Sequence, residues 1–492
     1  MLKIISLLLS LVFISAVVIG CSDTGGKPSD VTTTADTTVA ETEIDPIDAR
    51  KSISDDLPSE DFDGYNFRIF YFDKFGEVNY PEELVGDVIN DAFYERNLTV
   101  EERFNIKITG VNSGFTAWDA HTNAEKRIVM ADEDAFDVTS SHCIGGPNNS
   151  IEGLYVNLYD VPNLDFSKPW WQDATIDELT LNGKMFVASN DFTIEGLTSS
   201  KVIYFNKAKL VDYDIAEPYA NVFAGTWTLD TLISLTKDIY EDLNGNSERD
   251  TGDFYGYSSQ AMQNGFLVSC DISVLNKTGD DELMTLNVNS DKMLTLVEKL
   301  YDWYFDSTGA LIATKNDPET GEAPWVWYSK IFAGGNSMFA FGTLSLASST
   351  LRASDVEYGI LPFPKWDEAQ DDYRTFASGN LMAIPVTVRD LERTGIIYEA
   401  MSAEGYKQVV PAYYDTALKE KFTFDDDSGK VLDIINASRA VSFAYVYDNW
   451  QGFGHIFSSI FSEPPKRDYS SFYAQRENQA TARMNTIIEG FR

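Results

Sequence analysis

The chain is 492 residues long and strongly acidic, with 77 Asp and Glu against 38 Lys and Arg and a formal net charge of −39. That balance excludes a nucleic-acid binder, because neutralising phosphates takes clustered cations, and it disfavours docking on an anionic membrane surface. It leaves the sign of a ligand open, since exposed charges are screened beyond about 8–10 Å in physiological salt.

The chain starts with a single basic residue, Lys3, then an apolar run too brief for a comfortable span, then Val18-Ile19-Gly20-Cys21. This is the pattern of a signal peptide, and the last four residues resemble the lipobox of bacterial lipoproteins. The resemblance implies export, cleavage before Cys21 and lipidation (palmitate) at Cys21. An uncleaved anchor would also leave the rest outside the cytoplasm. From Ser22 to about Asp48 the chain is rich in Thr, Ser, Asp, Gly and Pro, with too little apolar surface to offset the entropy of ordering, so it reads as a flexible spacer. Residues 1–20 are thus the expected signal peptide and 21–60 the lipidated linker. No later run offers the roughly 18 apolar residues of a membrane span.

Beyond the spacer, Tyr65-Asn66-Phe67-Arg68-Ile69-Phe70-Tyr71 alternates as a strand does. Pro81 opens a segment whose apolar residues, Val85, Val88, Ile89, Ala92 and Phe93, fall at helical spacing. A strand at 104–109, a helix through about 123–130 and a short strand at 136–139 follow. The order β-α-β-α-β implies a mostly parallel sheet with helices on its faces and ligands at the carboxyl ends of its strands. The folded part exceeds what one core usually serves, which predicts two lobes. Trp227 reads as structural at a helix start, with Thr226 as N-cap and Asp230 in the first turn. Besides Cys21 there are only Cys143 and Cys270, without CxxC spacing; they either pair or stay buried as thiols, and the apolar flank 265–269 favours thiols.

A family likeness rests on several segments in order. They are Asn97-Leu98-Thr99-Val100-Glu101-Glu102-Arg103-Phe104-Asn105-Ile106, Leu181-Asn182-Gly183-Lys184-Met185-Phe186-Val187-Ala188, Val202-Ile203-Tyr204-Phe205-Asn206-Lys207, Thr226-Trp227-Thr228-Leu229-Asp230, Asn336-Ser337-Met338-Phe339-Ala340 and Tyr358-Gly359-Ile360-Leu361-Pro362-Phe363-Pro364. With these the chain, from about Asp61 to its end, resembles the extracellular solute-binding proteins of bacterial ABC importers, the maltose-binding-like family 1, in lipoprotein form. The resemblance implies an α/β, two-lobed periplasmic-binding-protein-like fold (type II), each lobe a mixed, mostly parallel sheet flanked by helices, with the ligand cleft between lobes. It implies lobe 1 at 61–195 plus 342–385 and lobe 2 at 196–341 plus 386–492, with crossings near 192–199, 340–343 and 384–386. It also implies a monomer, lipid-anchored on the outer face of the cell membrane. Such a receptor needs no cofactor, captures a carbohydrate (an oligosaccharide) by hinge closure, and hands it unchanged to ABC permease subunits.

Sugar recognition needs flat aromatic faces for the C–H surface of the ring and planar polar groups for hydroxyls that are costly to bury unpaired. The aromatic candidates are Trp325, Trp327, Tyr413, Tyr414 and Trp450. Asn190, Asp191 and Glu195, before the first crossing, and His142, after the third strand, are the polar ones. Trp170 and Trp171 read as packing residues. In the loop 242–253, Asp242, Asn244, Asn246, Glu248 and Asp253 have the alternation by which one loop wraps Ca²⁺. Its glycine stands fourth instead of sixth and its last acid is Asp instead of Glu, so a structural calcium site and a solvated acidic turn both remain open.

Few features of the sequence point to an enzyme. His121, His142 and His455 are the only histidines, none in HExxH spacing, and there is no GxSxG, GxxxxGK[ST] or GxGxxG. A glycosidase pair of carboxylates about 5–10 Å apart cannot be read from sequence. A secreted glycoside-active enzyme and a receptor for peptide or another polar solute therefore stand as alternatives.

Overall fold

The computed structural model describes residues 46–72, 80–261, 264–278, 283–317, 321–419, 426–447 and 449–492. Cys21, the signal segment and most of the spacer lie outside the described residues. Strand β1 (Tyr65–Tyr71) buries Phe67, Ile69 and Phe70. Helix α1 (Val88–Phe104) starts later than Pro81, because the Asp87 carboxylate accepts from the Ile89 and Asn90 amides and caps it there. Val85 and Val88 are consequently exposed, while Ala92, Phe93, Val100 and Phe104 form the buried stripe. Asn105 ends the helix in the left-handed region at φ 49 and turns the chain into β2 (Ile106–Asn112). Then come α2 (Trp118–Met130) and β3 (Val138–His142).

After β3 the chain crosses through the short helix α3 (Glu195–Thr198) into β4 (Lys201–Asn206). Further on lie β5 (Tyr240–Glu241), β6 (Phe254–Gln260), β7 (Ala310–Ala313), helix α4 (Pro324–Ala333), β8 (Ser337–Thr343) and β9 (Tyr358–Pro362). The last elements that bear on the site are β10 (Thr375–Phe376), β11 (Asn380–Ala383), α5 (Leu391–Glu404), α6 (Asp426–Ala437) and β12 (Arg439–Ala440).

These strands make two separate mixed sheets. In the first, ordered β11-β3-β1-β2, β1 runs parallel to both neighbours, Tyr65 facing Ile106 and Ile69 facing Val138, while β11 is antiparallel to β3. The second runs β9-β4-β8-β6-β5, with β7 also on β6. Val202, Ile203, Tyr204 and Phe205 of β4 are buried without alternation, as in a strand covered on both faces. The small pair β10 and β12 joins the two halves, together with a bridge between Ser200 and Ala377.

The returns of the chain fall elsewhere than 340–343 and 384–386. Residues 340–343 lie inside β8 of the second sheet, and β9 stays in that sheet, antiparallel to β4 with Tyr358 opposite Asn206. The chain rejoins the first sheet only at β11. Helix α5 still packs on α1, and the later α6 packs on β9. Strand alternation reveals a strand but not its partner, so these returns are set by pairing over long separations.

Trp227 is buried, its Nε1 donating to the Pro362 carbonyl at 2.9 Å. The N-cap of its helix is Thr228, whose hydroxyl accepts from the Thr231 amide, so Thr226 does not serve. Trp170 and Trp171 are core residues, and both indoles donate to the Glu399 carboxylate, at 2.8 and 3.0 Å. Cys143 and Cys270 are buried free thiols. Among the described residues, no helix is long and apolar enough to cross a membrane.

Candidate functional site

A cavity of about 770 Å³ opens between the two sheets, within the size range of small-molecule sites. His142 and Ile144 reach it from the carboxyl end of β3, Gln260 and Asn264 from that of β6, and Thr343 and Ser345 from that of β8. Glu195, Thr198, Ser199 and Lys201 come from the first crossing, and Phe376, Ser378, Gly379 and Asn380 from the return. The return passes so close to the first crossing that a Cβ on Gly379 would stand 2.4 Å from the Glu195 carbonyl oxygen; only glycine fits there.

Two exposed indoles line this space from opposite sides. Trp118 opens α2 beside the first sheet with 41% of its surface exposed, and Trp325 sits in the first turn of α4 beside the second with 57% exposed. Trp118 stacks on His142, ring centroids 6.1 Å apart, and lies against Gly145, where a Cβ would meet its ring at 2.4 Å. Pro324 starts α4, its fixed φ suited to the first helical position, and Trp325 follows on the exposed side of that turn. Deeper in, Tyr445 and His455 stack at 4.2 Å, with Phe376 edge-on to Tyr445 at 4.9 Å. Burial pushes the His455 imidazole down to about 4, so it is neutral at physiological pH.

Of the residues singled out from sequence, His142, Glu195 and Trp325 come together here, and the others do not. Trp327, two positions past Trp325 and thus about 200° around the helix, packs on its own half and donates to the Lys315 carbonyl at 3.3 Å. Tyr413 is buried and Tyr414 half-buried on a helix packed against α1, Tyr414 under the Arg50 guanidinium. Trp450 is fully buried against Phe443, in a turn with φ 31. Asp191 is buried in an ion pair with Arg439 at 2.8 Å, and burial lifts its carboxyl above the ordinary value although Arg439 opposes this. Asn190 donates to Ser402 in the same core.

In the acidic loop the ligand-like groups bind one another. Asp242 accepts from the Gly245 and Ser247 amides, Asn244 and Asn246 donate to Asp250, and buried Asp253 accepts from Tyr240. The Asn246 side chain also accepts from the Glu248 amide. Among the described residues, no three His, Cys, Asp or Glu side chains converge as a metal site would require.

No protein-family model matches the chain, and no curated protein matches it significantly. Solved structures do. An ABC substrate-binding protein of Listeria monocytogenes in complex with cycloalternan superposes with a TM-score of 0.53 at 14% identity, covering 87% of this chain and 99% of that one. The GacH receptor of Streptomyces glaucescens, solved unliganded and with acarbose, gives 0.52 at 12% identity over 86% and 98%. UgpB of Mycobacterium tuberculosis, in complex with glycerophosphocholine, gives 0.53 at 14% over 87% and 98%. At these identities the likeness establishes the fold: the chain has the two-lobed, periplasmic-binding-protein-like architecture, with its cavity between the halves.

Proposed function

We propose that this chain is the solute-binding receptor of an ABC importer and captures an oligosaccharide between its lobes without altering it. The observation that carries this reading is the pair Trp118 and Trp325, large apolar faces left exposed on opposite walls of one cavity whose lining also offers the hydroxyls of Thr198, Ser199 and Thr343, the amides of Gln260 and Asn380 and the imidazole of His142. Exposed indoles cost solvation unless a ligand covers them, and stacking suits the C–H face of a sugar. Carbohydrate complexes of structures with this fold point the same way. Among the described lining residues Glu195 is the one carboxylate, which offers no pair for glycoside hydrolysis. Cys21 would tether the receptor to the outer face of the membrane beside its permease, with the lobes swinging on the crossings near 195–200 and 376–380.

Tryptophan fluorescence titration with linear and cyclic oligosaccharides tests the reading. A saturable emission change with the sugar recovered intact is expected. Binding of peptides instead of sugars, or release of reducing ends, would overturn it.

A further inference from the structure

Resting on that reading, we propose that the saccharide is acidic, and that its carboxylate or phosphate seats against the ammonium of Lys201. Lys201 begins β4 opposite Thr343 of β8, so strand pairing rather than a mobile loop sets its position in the cavity wall. Its Nζ donates to Ser378 Oγ at 2.9 Å and lies 5.9 Å from the centre of the Phe376 ring. Among the described residues no carboxylate stands within ion-pair distance of it, whereas Lys126, Lys168, Lys299 and Lys330 all have acidic partners. Among the described lining residues Lys201 is the one lysine or arginine.

The other charged and titratable groups of the cavity do not neutralise it. Glu195 is an electrostatic neighbour of Arg96 and Tyr80. His455 is neutral, and His142 lies under Trp118. The Cys143 thiol is an electrostatic neighbour of Lys201, and burial pushes it up to about 12 and so keeps it uncharged. Burial pulls Lys201 itself down to about 8, the mark of an ammonium short of compensation. A ligand anion would supply it, in a cleft where an ion pair is screened far less than at the surface. The acidic surface gives no long-range attraction for anions, so selection falls to this local group.

Calorimetric titration of the purified protein at pH 7 with maltotriose, cellotriose, trigalacturonate, trimannuronate and galactose 6-phosphate provides the test. At least one acidic saccharide should bind about tenfold or more tighter than every neutral one, the carboxylated and phosphorylated arms showing which anion fits. Lys201→Gln should erase that preference and Lys201→Arg retain it, with near-ultraviolet circular dichroism checking each fold; the wild-type ranking decides even if a variant fails to fold. Neutral trisaccharides binding as tightly as every acidic one would overturn this inference and leave the receptor reading standing. No binding by any of the five would count against both.

Discussion

Trp325 and Trp327 differ by two positions and in what they contribute. Replacing Trp325 or Trp118 with alanine removes a stacking face and should weaken saccharide binding by about 0.5–1.5 kcal/mol, roughly two- to tenfold in Kd, with the melting temperature unchanged for Trp325 and lowered for Trp118, which also packs on His142. Trp450→Ala should instead behave as a core truncation and cost about 3–5 kcal/mol of stability, which denaturant unfolding reads directly. Two buried acids set a pH trend. Glu125, accepting from Ser141 at 2.7 Å, and Glu399, beneath Trp170 and Trp171, are each pushed up to about 7 by burial. Their folded values lie above the unfolded glutamate value of about 4.3, so their contribution is complete below that pH and is lost as pH rises through 7. Buried His121 and His455, pulled down to about 4, act with the opposite sign up to the ordinary histidine value of about 6.5, so thermal melts should show the net fall between about pH 6 and 7, and Glu125→Gln with Glu399→Gln should remove it.

Among the elements, the paired crossings and the segment that pins them govern the cleft. Arg439 sits at the start of β12, and its bond to Asp191 ties the C-terminal part of the chain to the entry of the first crossing. Arg439→Leu leaves the Asp191 carboxylate buried without its partner and should cost about 3–5 kcal/mol in denaturant unfolding. The β-α-β-α-β order at 65–142 was readable in the sequence because alternation and helical spacing are local properties. Membership of β9 in the second sheet was not, since sheet partners are chosen by packing over long separations. For the site, His142, Glu195 and Trp325 could be found as polar or aromatic residues near junctions. Pro324 marked a helix start, which puts Trp325 and Trp327 on different faces, but which face meets the core is set by tertiary packing. Trp118 had a signal too, an aromatic at the start of a helix following a strand. Lys201 showed as a single cation heading an apolar strand. Tyr445 and His455 had none, because their ring stack joins residues brought together only by tertiary folding.

At the scale of the whole molecule, two sheets are joined by narrow crossings with a cavity between them, and under the proposed function they act as a clamp. A ligand that touches both walls favours the closed state by the contacts missing when the clamp is open, and about 5.5 kcal/mol takes a two-state equilibrium from 1:99 to 99:1. Stacking on Trp118 and Trp325 together with an ion pair to Lys201 is the right kind of interaction to provide it, since the two indoles belong to different halves. Small-angle X-ray scattering of the protein with and without a saturating saccharide tests this most directly. The account predicts a smaller radius of gyration on binding, reversed when the sugar is dialysed away; saturable binding with the radius unchanged would contradict it.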